Sequence, residues 1–179
     1  MYAMRMENST LDNSQLLAQQ LREHNKDRFL QTLYVPPSAR AGLSALYALE
    51  MELSHVHHAV REEMIGHIRY AWWQEAIEGL YAGKPARGHP VLEELKPLAQ
   101  ESKLPQAEVL ALVTAFRESF PDVPPNAAAL TDEAAQALLA QLALTSIAKW
   151  KKAGKIIARH RQKHPRGAYG RLALRLLLV

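Results

Sequence analysis

The stretch LSALYALEMELSHVHHAV, residues 43–60, decides the fold class. Leu46, Leu49, Leu53, Val56 and Val60 follow 3-4-3-4 steps, which line one side of an α-helix and have no counterpart in a β-strand. Pro36, Pro37 and Ser38 supply a start, because the fixed φ of proline suits a first helical turn and serine can cap it. Downstream, Ile65, Ile68, Trp72, Ala76 and Leu80 repeat the spacing, so they are expected on the buried seam of a second helix. Gly83 and Pro85 end that helix. Upstream, residues 16–33 read as one or two helices. Pro90 opens a short helix through Leu95, and Pro105 opens another carrying Val109, Leu112, Val113 and Phe116.

Pro121, Pro124 and Pro125 make the strongest break in the chain. Beyond it, Thr131 followed by Asp132 and Glu133 is the expected start of a helix reaching about His160, its acids near the positive dipole end. The organisation expected is a helical body over 1–120, a proline-rich linker over 121–131 and a basic helical arm over 132–179. Sustained apolar and polar alternation is found nowhere, so the chain reads as all-α.

Composition bounds the function classes. At 179 residues, 48% hydrophobic and 22% charged, the chain suits one globular domain and not a disordered one. With no cysteine, disulfides, thiol nucleophiles and thiolate-bound metals are excluded. Residues 1–10 lack the apolar core of a signal peptide, and no stretch approaches the roughly 18 apolar residues of a membrane span. The apolar run 172–179 is too short and carries Arg175. The expected location is cytoplasmic, with peripheral contact to the inner membrane as an option.

The net charge of +4 conceals a split. The last acidic residue is Glu133, and the ten basic residues after it carry +10, leaving −6 for the rest. Lys149, Lys151, Lys152, Lys155 and Arg159 lead this basic run and are the candidate contacts to an anionic surface. A solvated helix face would look the same. Nucleic acid is not the expected partner, because the arm offers only Trp150 and Tyr169 for stacking.

Two clusters could carry chemistry. His55 and His58, with Glu62, point away from the leucine seam, and imidazoles three apart on a helix can share a metal ion. Glu52 and His55 form one Glu-x-x-His, but the second that a carboxylate di-metal bundle needs is missing, so no metal is expected. Arg69, Trp72 and Trp73 crowd one helix, where core packing and cation–π stacking account for them without a ligand.

Residues 27–95 also carry a set of pieces in order: Asp27-Arg28-Phe29, Ala45-Leu46-Tyr47-Ala48, Ile68-Arg69 leading to Trp72-Trp73, then Gly79-Leu80-Tyr81-Ala82-Gly83-Lys84-Pro85 and His89-Pro90-Val91. In this the chain resembles the N-terminal third of the squalene/phytoene synthase family. The resemblance implies the all-α isoprenoid-synthase bundle. It also implies prenyl diphosphate chemistry on magnesium held between two aspartate-rich helices, and it marks Tyr47, Arg69 and Trp73 as substrate-binding positions.

This sequence departs from the family at the first aspartate motif. The arginine position reads Met51, and the aspartate positions fall on Ser54, His55 and His58, none of them a carboxylate. No D-x-x-x-D follows the linker either, and the chain is shorter than a catalytic member. Magnesium prefers carboxylate oxygens, so no catalytic residue and no cofactor is expected. The departures resemble the family's non-catalytic branch, which includes a mitochondrial complex I assembly factor. Two readings stay open: a degenerate member that binds a protein or lipid partner, and a prenyl transferase or isoprenoid-diphosphate binder using magnesium and completed by a partner or dimer mate. Self-association fits either reading.

Overall fold

The computed structural model describes residues 11–125, 127–142 and 147–163, with side chains in the last-but-one helix from residue 130 onward. Among these residues there are eight α-helices and no strand. They are α1 (Asn13–His24), α2 (Lys26–Thr32), α3 (Pro37–Ala59), α4 (Glu63–Tyr81), α5 (Pro90–Gln100), α6 (Gln106–Ser119), α7 (Ala127–Gln141) and α8 (Ile147–Lys163). The all-α expectation holds.

Local chemistry sets the boundaries. Asp12 opens α1 with a capping box, accepting from the Gln15 amide at 2.8 Å while the Gln15 side chain accepts from the Asp12 amide at 3.3 Å. Pro37 sits at the first position of α3, but Ser38 makes no capping bond. Gly83, at φ 78°, leads the chain out of α4 through a left-handed turn that a side chain would strain. His89 caps α5, its Nδ1 accepting from the Val91 amide at 3.3 Å, and Pro90 follows in the first turn.

α3 is the central helix. Leu46, Leu49 and Leu53 are fully buried and Val56 nearly so, as the seam requires. Gly42 to Leu49 are buried on every side, because α3 lies between two cores. One core joins Leu49, Leu53 and Val56 to Tyr70, Trp73 and Ile77 of α4, Leu92 and Leu95 of α5, and Leu112 and Phe116 of α6. The other joins Leu43, Leu46 and Tyr47 to Leu21 of α1, Ala135 and Leu139 of α7, and Trp150 of α8.

Three expectations need correction. The buried face of α4 is Gly66, Tyr70, Trp73, Ala76, Ile77 and Leu80, whereas Ile65 and Ile68 are 41% and 62% exposed and Trp72 is half-buried. The helix is therefore rotated by about one residue from the expected seam. Gly66 explains why: a Cβ there would lie 2.3 Å from the Phe120 ring, so only glycine lets Phe120 close on α4. Second, the helix expected from Asp132 to His160 is two helices, α7 and α8. Third, α7 begins at Ala127, inside the stretch expected as linker, so Thr131 lies within the helix and fully buried instead of capping it. α7 packs directly against α3 and α6.

Candidate functional site

Beyond Leu49 the outer side of α3 turns polar, and it floors a groove. Glu50, Met51, Glu52, Ser54, His55 and His58 face Gln20, His24 and Asn25 at the end of α1 across about 690 Å³. At Glu50 and Asn25 the groove passes into a cleft of about 360 Å³, lined by Arg28, Gln31, Asp132 and by Gly154 and Arg161 of α8. At Glu52 and His55 it passes into a notch of about 210 Å³ with Arg69, Trp72, Trp73 and His89.

Arg28 organises the first junction. Its guanidinium is buried, where an unpaired charge would be very costly. Nε donates to Glu50 Oε2 at 3.0 Å, Nη2 lies 2.9 Å from the same oxygen, and Nη1 donates to Gln31 at 3.1 Å and to Asp132 at 2.7 Å. The guanidinium also stacks 4.5 Å above the Tyr47 ring. Tyr47 in turn accepts a hydrogen bond from Trp150 Nε1 at 3.3 Å, and Thr131 supplies a side-chain hydrogen bond to Glu50. Burial pushes the Glu50 carboxyl upward while Arg28 opposes it, and burial pushes the Tyr47 phenol up strongly. Burial works to lower the Arg28 pKa, but Glu50 and Asp132 outweigh it, so the group stays cationic.

Ser54, His55 and His58 line one groove. Arg69 and Trp73 converge too, in the notch, where Trp73 packs edge-on to Trp72 at 5.1 Å and to His89 at 4.9 Å. Burial holds the His89 imidazole below its usual range, with Glu52 partly opposing. Tyr47 stays apart from them, fully buried beneath Arg28. His57 points inward, its ring edge-on to Phe120 at 5.4 Å and its Nε2 donating to the Asp122 carbonyl at 3.1 Å. Lys149, Lys151, Lys152, Lys155 and Arg159 are all exposed on α8.

The donor set does not suit magnesium. Ser54, His55 and His58 offer a hydroxyl and two imidazoles, Glu50 is already engaged by Arg28 and Thr131, and Glu52 remains as a single carboxylate. Among the described residues, no three His, Asp or Glu side chains gather as metal ligands. Nor is any helix among them long and apolar enough to cross a membrane.

Spacing alone did not reveal Glu50, Gln31 and Asp132 as partners of Arg28, nor Thr131 as a partner of Glu50. The available signal was a lone Glu50 following the run from Ala45 to Leu49, a position where an unpaired carboxylate is unusual.

The molecule is thus an all-α bundle whose central helix presents Ser54, His55 and His58 to a groove. The squalene/phytoene synthase family model matches residues 21–151, most of the chain, and the chain belongs to that family. Among curated proteins it is similar to the NADH dehydrogenase (ubiquinone) complex I assembly factor 6 of Mus musculus and of Homo sapiens. Each is 28% identical over 102 residues, covering 57% of this chain and 30% of the relative. The Bos taurus assembly factor 6 is 24% identical over the same length. The chain thus spans about 30% of the length of these relatives. No solved structure gives a significant match.

Proposed function

We propose that this chain is a non-catalytic family member that acts by binding a protein partner, as an assembly factor of a respiratory NADH dehydrogenase complex. The observation that carries the reading is the groove on α3. Diphosphate departure needs hard cations on several carboxylates, and here Met51, Ser54, His55 and His58 provide none, Arg28 occupies Glu50, and Glu52 is left as a single carboxylate in the groove. The similarity to complex I assembly factor 6 supports the same class.

The partner-binding face is the outward side of α4. Met64, Ile65 and Ile68 are 75%, 41% and 62% exposed on neighbouring turns, with exposed Arg61 and Arg69 beside them. Clustered exposed apolar side chains of this kind favour a protein contact. The test is a deletion strain of the source organism. Its assembled NADH dehydrogenase, read on native gels, should fall, and it should be restored by the wild-type gene and by His55→Ala/His58→Ala. Ile65→Ser/Ile68→Ser should fail to restore it. Undiminished complex in the deletion strain, or full rescue by the Ile65→Ser/Ile68→Ser protein, contradicts the reading.

A further inference from the structure

α8 separates its two faces almost completely. Trp150, Ala153 and Ile157 are buried against the bundle, where α8 packs on α2 and α7. On the opposite side, at 100° per residue, Lys152, Lys155, Arg159 and Lys163 follow 3-4-4 steps and form a single exposed stripe. Exposed Lys151 lies close to it. None of these residues has an acidic partner among the described residues, whereas Arg161, one turn beyond Ile157 on the side that packs against α2, pairs with Asp27 at 3.2 Å. No acidic residue occurs after Glu133, so nothing on the helix offsets the charge.

We infer that this stripe of α8 docks the protein on an anionic lipid surface, an interaction that goes beyond the protein-binding reading and stands without it. The stripe is straight and about 16 Å long at 1.5 Å per residue, which suits a flat charged surface. Three of its four residues are lysine, whose point charges serve diffuse attraction better than bidentate recognition. The helix presents no exposed tryptophan, tyrosine or phenylalanine for stacking nucleobases, because Trp150 is turned into the core and His160 is half-buried away from the stripe. The apolar residues Leu172, Leu174, Leu176, Leu177, Leu178 and Val179 lie outside the described residues.

The experiment is co-sedimentation of the full chain with phosphatidylcholine vesicles, with and without phosphatidylglycerol, beside a duplex DNA titration at the same salt. The wild type should sediment only with anionic vesicles. Each charge removed should weaken partition roughly fivefold, so Lys152→Gln/Lys155→Gln/Arg159→Gln should lose about a hundredfold. A charge-matched control away from α8, Lys84→Gln/Arg87→Gln/Lys103→Gln, should stay within about threefold of wild type, because screening confines the attraction to nearby charges. If the triple variant fails to fold, Lys155→Glu alone carries the test, with a loss of about 25-fold. Failure to sediment, equal binding to neutral vesicles, an equal loss in the control, or tighter binding to DNA overturns the inference.

Discussion

Arg28 Nη1 donates to Asp132 Oδ1 at 2.7 Å, tying α2 to α7 across 104 residues of chain. The same guanidinium neutralises Glu50 on α3, so one buried cation holds three helices in register. The two carboxylates are not equivalent: the Glu50 side chain is 15% exposed and that of Asp132 41%. Arg28→Ala should therefore cost about 3–5 kcal/mol in urea unfolding, since it leaves Glu50 buried without its partner. Asp132→Ala should cost only about 1 kcal/mol, because solvent screens the more exposed pair. Equal effects from the two variants would contradict this division.

Phe120 against Gly66 gives a second expectation. Its ring fills the space over that glycine and sits edge-on to Tyr70 at 5.7 Å. Gly66→Ala should destabilise the protein by about 1–3 kcal/mol through overpacking. Because the clash is with a ring, Gly66→Ala/Phe120→Leu should recover part of the loss relative to the two single variants added together. A Gly66→Ala protein as stable as wild type would show that Phe120 yields freely.

α4 offers a direct comparison of faces. Trp73→Ala removes a side chain 4% exposed and should lower stability by about 3–5 kcal/mol. Ile68→Ser, at 62% exposure, should change it by less than about 0.5 kcal/mol. Comparable losses at the two positions, or a larger loss at Ile68, would contradict this assignment of the buried face.

The rotation of α4 shows where the sequence was legible. The α3 seam could be read because Leu46, Leu49, Leu53 and Val56 are apolar at helical spacing and the other half of the turn changes to polar after Leu49. α4 carries two apolar stripes, Ile65–Ile68–Trp72 and Tyr70–Trp73–Ile77, and periodicity cannot rank them. Gly66 ranks them, but only through Phe120, far along the chain. Thr131 and Asp132 follow the same logic. Their local pattern is a helix start, yet their role is set by Glu50 and Arg28, a long-range contact that spacing does not encode. Of the site, Ser54, His55 and His58 were legible as one cluster through the family motif, and the Arg28 partners were not.

Alkaline unfolding should follow the buried phenols. Burial raises Tyr70 and Tyr81 from the ordinary 10.0 to about 12, with their hydroxyls donating to the carbonyls of Leu53 at 3.1 Å and Leu104 at 2.8 Å. A group whose folded pKa is raised contributes stability that is complete below its unfolded pKa. That contribution should be lost between about pH 10 and pH 12. Absorbance at the phenolate band should show these tyrosines titrating late and together with loss of helical signal. Early titration of Tyr70 and Tyr81, with the helices intact, would contradict the burial assigned to them.

As a proposed binding protein, the chain should not turn over a prenyl diphosphate. The most direct test is diphosphate release by the purified full chain with magnesium and farnesyl or geranylgeranyl diphosphate. The expected rate equals that of a protein-free control, and Ser54→Asp/His58→Asp should leave it there, because two carboxylates on one helix do not make a two-sided magnesium clamp. Release above the control by the wild-type chain, or squalene or phytoene among the products, would contradict the claim.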